Sequence, residues 1–389
     1  PAGDRRLQQI RAVADEAMTD LGIGVMTLQR DGQGQWQRAQ GAQDRRITGI
    51  SGLEDPKQQL LSTGPATAVF TAGKRQGYDD GLGDRIVGTF ANCGGGITPW
   101  GSWLTCEESP TGPGQKYGDG LNKNHGWVFE VPAAATGLVD PKPLVAMGRF
   151  NHEAACVDPA TGFVYLTEDR DDSVLYRFIP AVPGELSRGG RLQAMKVEGI
   201  PDLRNWSDMS IAVGAIGEVS WIDLDGVEAP KDNLRYQAAT KGASLVARGE
   251  GIHMGKGEAY VCSTSGGARK LGQIFRIEFS PDGESDRVEL FFESVSKHQF
   301  DYGDNVVVAP NGHLIVCEDQ YTKVVDNHLR GIAPDGNAYP LARLRLQTEP
   351  AGACFSPDGQ TLFVNVYAPA KTLTITGPWD SFNAKTIAV

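Results

Sequence analysis

The sequence predicts an all-β protein: a closed propeller of about six blades with an N-terminal helical lead-in. Three observations predict it. A short phrase opened by glycine recurs six times after residue 86, its copies are spaced by roughly one four-stranded sheet, and turn-forming residues are abundant, with 49 Gly and 22 Pro.

In each copy a glycine-bearing turn is followed by an alternating apolar run, and the sixth residue after the glycine is polar. Gly101 leads to Glu107, Gly162 to Glu168, Gly217 to Asp223, Gly257 to Ser263, Gly312 to Glu318 and Gly359 to Asn365. The turns before them include Asp158-Pro159-Ala160-Thr161-Gly162, Pro310-Asn311-Gly312 and Pro357-Asp358-Gly359, residues that supply tight-turn dihedrals. The polar positions lie 61, 55, 40, 55 and 47 residues apart, the period of one sheet per blade. Successive side chains on a strand face opposite ways. Cys106, Thr167, Ile222, Cys262, Cys317 and Val364, each preceding a polar position, are therefore expected to pack between blades.

Ahead of the repeats, Leu7, Ile10, Val13, Ala14, Ala17, Met18 and Leu21 fall on one helical face, with Asp4 placed as a cap. We expect residues 1–85 to form a lead-in of this helix and the first strands, packed on a propeller spanning 86–389. No apolar run reaches the roughly 18 residues of a membrane-spanning helix. The chain opens on Pro1-Ala2-Gly3-Asp4 rather than a signal peptide, so an export signal is expected to have been removed or to be lacking.

A net charge of −11, with no basic stripe, argues against nucleic acid as a partner. The acidity serves solubility, or bound cations cancel part of it in the folded protein. Five of the six cysteines sit at repeat positions in separate blades: Cys106, Cys262 and Cys317 before the polar positions, Cys156 and Cys354 in a second set. They read as core thiols without disulfides. Cys93, in the loop Asn92-Cys93-Gly94-Gly95-Gly96, is the exception.

Carboxylates end three of the repeats as pairs: Glu107-Glu108, Glu168-Asp169 and Glu318-Asp319. A second set, Cys93, Glu153, Glu250, Asn305 and Glu349, lies where the innermost strand of a blade would begin. Carboxylates that converge repel one another unless a cation neutralises them, and oxygen donors in this number suit Ca²⁺. A thiolate beside glutamates points instead to a transition metal, with iron fitting. Arg248, two residues before Glu250, would face the same way in an extended segment and offers a cation for an anionic substrate. His152 reads as a structural group, and the run Thr264-Ser265-Gly266-Gly267 as a flexible or anion-contacting loop. Phosphate-binding P-loop, zinc-helix, CxxC and nucleophile-elbow motifs are absent from the sequence.

The block Gly88-Thr89-Phe90-Ala91-Asn92-Cys93-Gly94-Gly95-Gly96-Ile97-Thr98-Pro99-Trp100-Gly101, running on to Thr105-Cys106-Glu107-Glu108, resembles the PhoX-type alkaline phosphatases. So do Arg149-Phe150-Asn151-His152-Glu153, Tyr165-Leu166-Thr167-Glu168-Asp169-Arg170, Arg248-Gly249-Glu250-Gly251, Cys317-Glu318-Asp319 and Leu362-Phe363-Val364-Asn365. The matches keep their order over about residues 86 to 379. The resemblance implies an exported propeller phosphatase, periplasmic or secreted, acting on small phosphate esters through ferric iron and Ca²⁺ bridged by an oxo group. A metal-bound oxygen would attack phosphorus. It further implies Cys93, Glu153 and Glu250 as ligands near iron, and the paired acids Glu107, Glu108, Glu168, Asp169, Glu318 and Asp319 as calcium ligands. Arg248 would hold the phosphate, with Asn92 as a second catalytic group. After Asn365, where the family tends to a Gln-His-Pro-Gly-like phrase, this chain has Tyr367-Ala368-Pro369-Ala370. A monomer is expected.

Two other readings stay open on the residues. Asp304-Asn305, Pro310-Asn311-Gly312 and Cys317-Glu318-Asp319 also resemble calcium-dependent lactonase or esterase propellers, which have no use for the Cys93 thiolate. A non-catalytic propeller stabilised by calcium would melt in a metal-dependent way without turnover.

Overall fold

The computed structural model describes residues 22–48, 91–111, 125–137, 142–207, 211–281, 285–320 and 322–380, with shorter pieces at 16, 19, 51, 59–61, 85–87, 89 and 283. The apolar face expected on an N-terminal helix, Leu7 to Leu21, lies outside the described residues. The first described strands pair as short ribbons: β1 (Gly22–Val25) with β4 (Arg45–Thr48), β2 (Thr27–Arg30) with β3 (Trp36–Ala39), and β5 (Gln59–Leu61) with β6 (Arg85–Val87).

Five antiparallel blades follow among the described residues, in four sheets. They are β7 (Asn92–Ile97), β8 (Ser102–Glu107) and β9 (Val128–Pro132); β10 (His152–Val157), β11 (Val164–Glu168), β12 (Tyr176–Pro180) and β13 (Gly190–Val197); and, after β14 (Ile216–Asp223) and helix α1 (Leu234–Thr240), β15 (Gly249–Met254), β16 (Glu258–Ser263), β17 (Gln273–Glu278) and β18 (Arg287–Glu293). The last two are β19 (Gly303–Val308), β20 (Leu314–Glu318), β21 (His328–Ile332) and β22 (Ala338–Arg343); and β23 (Pro350–Phe355), β24 (Thr361–Val366) and β25 (Lys371–Thr376).

Five of the six sequence phrases form the second strand of a blade: β8, β11, β16, β20 and β24. The sixth does not. β14 pairs with β13 on one side and β18 on the other, fusing two blades into one nine-stranded sheet. Asp223 at its end is exposed and pairs with Arg191 at 3.1 Å. The phrase marks a turn followed by a strand, and a bridging outer strand satisfies it as well as a second blade strand does.

Side-chain alternation on the second strands places Cys106, Cys262, Cys317 and Val364 in the core at 0–1% exposure, with Thr167 also fully buried. All six cysteines are free. Cys354, expected in the core beside Cys156, is exposed instead, because the neighbouring Ala353 takes the inward position. Phe178 on β12 is fully buried in the cluster between the first two blades. Phe178→Ala is expected to destabilise the chain by about 3–5 kcal/mol, read from the denaturant midpoint at unchanged slope.

The N-terminal ribbons touch both ends of the blade series. Arg45 donates to the carbonyls of Pro132 and Ala135 beside the first blade. Arg30 reaches Asp358 at 2.7 Å, and the Trp36 indole N–H reaches the Thr361 hydroxyl at 3.1 Å on the last.

The innermost strands β7, β10, β15, β19 and β23 share one irregularity. In each, the pairing with the second strand shifts by a residue: between Asn92 and Gly95, His152 and Ala155, Gly249 and Ile252, Gly303 and Val306, and Ala351 and Cys354. A bulge puts two residues opposite one and re-aims a side chain. The partner opposite each bulge is the core series Cys106, Thr167, Cys262, Cys317 and Val364. Glycine beside the bulges lets neighbouring inner strands approach backbone to backbone. A Cβ on Gly94 would sit 2.3 Å from the Glu153 carbonyl oxygen, and one on Gly251 2.7 Å from that of Asp304.

Candidate metal centre

The first bulge residues are Cys93, Glu153, Glu250, Asp304 and Gly352, and four of these five converge on one site. Three groups of donors, each with its ligand atoms within 4.8 Å of one another, run through it: Cys93, Glu108 and Glu153; Glu153, Glu250 and Asp304; Asp304, Asp319 and Glu349. Glu153 and Asp304 each belong to two groups, so the donors form one continuous chain. Hydrogen bonds between blades hold the bulges in place. The Thr167 hydroxyl donates to the Glu250 carbonyl at 2.5 Å, and the Ala353 amide donates to the Asn305 side chain at 2.9 Å.

Crowded carboxylates without counter-charge retain their protons. Burial, then the charge of Asp169, pushes Glu108 up to about 7. Burial and Asp319 push Asp304 up to about 7, and burial and Asp304 push Glu349 up to about 8. Glu153 and Glu250 lie well above the carboxylate range through burial and their acidic neighbours. Cys93 is exposed at its surface, but desolvation among the crowded acids, then the charges of Glu153 and Glu108, pushes its thiol well up.

Glu153 also carries a buried Oε2 with no hydrogen-bond partner among the described residues. An orphaned carboxylate oxygen among five further acids and a thiol is a costly arrangement for protein atoms alone. Cations would satisfy the oxygen and remove the mutual repulsion, so the residues present fit a metal cluster.

Arg248 stands beside the donors. Its Nε and Nη2 donate to Asp169 at 2.7 and 3.2 Å, and Nη2 also donates to Glu250 at 2.7 Å. Burial opposes its charge, but the Asp169 hydrogen bond and the charges of Glu250 and Asp169 outweigh that and raise its pKa. Its φ of 50° is left-handed, a strained conformation for a non-glycine residue that persists where neighbours hold it. The Arg170 carbonyl accepts from its amide at 2.9 Å, and its own carbonyl accepts from Thr264 at 3.0 Å.

Of the residues singled out in the sequence, Cys93, Glu108, Glu153, Glu250, Asp319 and Glu349 meet in the cluster. Asp169 turns to Arg248. Glu107, Glu168 and Glu318 do not reach the cluster. Each is fully buried and spends its carboxylate on protein donors, because neighbours on a strand face opposite ways and only the second acid of each pair turns inward. Asn92 gives its amide N–H groups to the Thr89 and Thr105 hydroxyls, both at 2.9 Å, and presents an acceptor oxygen. His152 is buried on the Gly148 carbonyl at 2.9 Å, and burial lowers it to about 4. The loop after Ser263 is tied down rather than open to an anion, since the amides of Thr264, Gly266 and Gly267 donate to Arg248, Ser263 and Arg204.

Asp304 was missed as a donor in favour of Asn305. Ideal alternation assigns one residue opposite each core position, whereas the bulge assigns two and aims the first inward. A count from Cys317 matched to the Cys93–Cys106 pair would have found it.

The family profile of alkaline phosphatase PhoX matches residues 6–370. No curated protein matches the chain by sequence. Among solved structures, Pseudomonas fluorescens PhoX in complex with vanadate, a transition state analogue, superposes with a TM-score of 0.69 at 22% identity, covering 92% of this chain and 76% of that one. A Xanthomonas campestris gluconolactonase superposes with a TM-score of 0.41 at 13% identity, covering 76% of each chain.

Proposed function

From the premise that this chain belongs to the PhoX alkaline phosphatase family, metal-dependent hydrolases of phosphate esters, we propose how its own residues divide the work. Cys93, Glu108 and Glu153 hold ferric iron at one end of the donor chain, since a thiolate selects a transition metal. Asp304, Asp319 and Glu349, all oxygen donors, hold Ca²⁺ at the other end. Glu153 and Asp304 bridge to the middle group, which Glu250 completes. When bound, the cations supply Lewis acidity that polarises the phosphoryl group.

Arg248 binds the ester. Asp169 and Glu250 engage Nε and Nη2, which fixes the plane of the guanidinium and leaves Nη1 for a phosphoryl oxygen. Its strained backbone is clamped before substrate arrives, so no reorganisation is needed on binding. Asn92 sets the bulge that carries Cys93 by anchoring it to Thr89 and Thr105. As the cations enter, Glu108, Asp304 and Glu349 surrender the protons they hold in the metal-free protein.

The substrates are small phosphate esters, and the chain acts as a monomer in the periplasm or outside the cell. No described helix is long and apolar enough to cross a membrane. Residues 86–389 form the catalytic unit, and 1–85 pack on it through contacts such as those of Arg30 and Arg45.

The observation that carries this reading is the continuous donor chain with a thiol at one end. Its test is p-nitrophenyl phosphate hydrolysis. Chelation is expected to abolish turnover, and Ca²⁺ with iron to restore it. Cys93→Ala is expected to stay inactive with both metals added, and full turnover in that variant would remove iron from the site.

A further inference from the structure

Burying a carboxylate costs several kcal/mol unless it is well paired. Three blades bear that cost at one repeat position, the last residue of the second strand: Glu107, Glu168 and Glu318, at 0–1% exposure. Their partners share no sequence pattern, but they share a place. Glu107 accepts from the amides of Gly126 and Trp127 at 2.8 and 3.1 Å, just before β9. Glu168 accepts from the Tyr176 hydroxyl at 2.7 Å, the first residue of β12. Glu318 accepts from the His328 amide at 3.0 Å, the first residue of β21. Each carboxylate has a further partner: His125 beside Glu107, Arg235 of α1 beside Glu168, and Arg330 beside Glu318.

Each glutamate therefore joins the start of a loop to its far end. The connections from second to third strand span 108–127, 169–175 and 319–327, and the described residues at their two ends are the ones these glutamates join. Their first residues are Glu108, Asp169 and Asp319. The other two blades show the converse. Where the equivalent residue is Ser263 or Asn365, the next is Thr264 or Val366, and no acid enters the cluster from that position. Buried glutamate and inward acid occur together in three blades and are both missing from two.

We infer that Glu107, Glu168 and Glu318 are positioning residues. Each clasps its loop shut so that the acid after it keeps a fixed direction, toward metal for Glu108 and Asp319 and toward Arg248 for Asp169. A closed loop loses its freedom at the clasp, and the ligand at its mouth needs no ordering when the cation arrives. Loops of different length thus present acids in equivalent positions. This inference rests on the metal reading of the cluster.

The test follows the Ca²⁺ concentration that gives half of the metal-induced rise in melting temperature, in chelated whole protein titrated with Ca²⁺. Glu318→Gln keeps the shape but not the charge. It is expected to raise that midpoint about tenfold, as loss of a group supporting a ligand does. Asn365→Ala, at the same repeat position without a following acid, is expected to leave the midpoint unchanged. Should Glu318→Gln fail to fold, Glu107→Gln makes the corresponding prediction through Glu108 for the iron midpoint, read in the same way with iron in place of Ca²⁺. A lower melting temperature with an unmoved midpoint overturns the clasp and leaves the metal reading standing. A wild-type chain indifferent to Ca²⁺ overturns both.

Discussion

Arg248→Ala is expected to lower kcat/KM for p-nitrophenyl phosphate by about a hundred- to a thousandfold, the loss that follows removal of one preorganised donor to the reacting group. The expectation comes from what surrounds the residue. Two carboxylates orient the guanidinium, and backbone hydrogen bonds from both directions hold its left-handed conformation. The side chain keeps 26% of its surface exposed, enough for a substrate oxygen to reach it. Arg248→Lys is expected to recover only a small part, because an ammonium cannot bind Asp169 and a phosphoryl oxygen with one planar fork. Steady-state kinetics on metal-loaded variants, with metal content measured in each, check the result. Unchanged kcat/KM in a fully loaded Arg248→Ala variant would remove this residue from the chemistry.

Metal removal is expected to reverse the usual dependence of stability on pH. Glu108, Asp304 and Glu349 lie at about 7, 7 and 8 in the fold, against ordinary values of 4.5, 3.8 and 4.5. Between those limits the unfolded chain is ionised while the metal-free fold still holds the protons. The folded state then binds more protons, and its stability falls as pH rises. The loss amounts to on the order of 1 kcal/mol per pH unit for each group still protonated. It begins above about pH 4, ends near pH 8, and vanishes below the unfolded values. Chelated protein is thus expected to melt lower at pH 8 than at pH 5, and Ca²⁺ to raise the melting temperature more at pH 8. Thermal melts at the two pH values, with chelator and with Ca²⁺, decide it. Chelated protein more stable at pH 8 would mean that the acids are already ionised and separated in the metal-free fold.

Buried Glu168 extends the same behaviour outside the cluster. Burial pushes it up to about 8 although Arg235 and Tyr176 pull it down. A carboxylate that burial penalises this strongly, despite a guanidinium at 3.3 Å, is poor evidence for stabilisation by an ion pair. Geometric use at the head of a loop accounts better for its place.

Much of the architecture was legible in the chain, because turn and strand requirements are local. The glycine-led phrases located five second strands, and alternation along them assigned Cys106, Cys262 and Cys317 to the core. Cys93, Glu153 and Glu250 were legible as a convergent set, since equivalent positions in successive blades face a common axis. The same local logic misread β14, because a strand bridging two sheets follows the turn and alternation rules of a blade strand. It also gave Glu107, Glu168 and Glu318 the same role as the acids after them, since two adjacent carboxylates look alike until a backbone direction separates them.

The sequence by itself determined the repeat, the strand periodicity and the residue types available to a metal. Each follows from steric and hydrogen-bonding rules that act over a few residues. The tertiary structure decided which of those residues meet. Four bulges turned Cys93, Glu153, Glu250 and Asp304 toward one site, and glycines at 94 and 251 let the inner strands come close enough for their side chains to share it. A bulge is a property of two paired strands, and a ligand set is a property of several blades, so neither is written in any one stretch of chain.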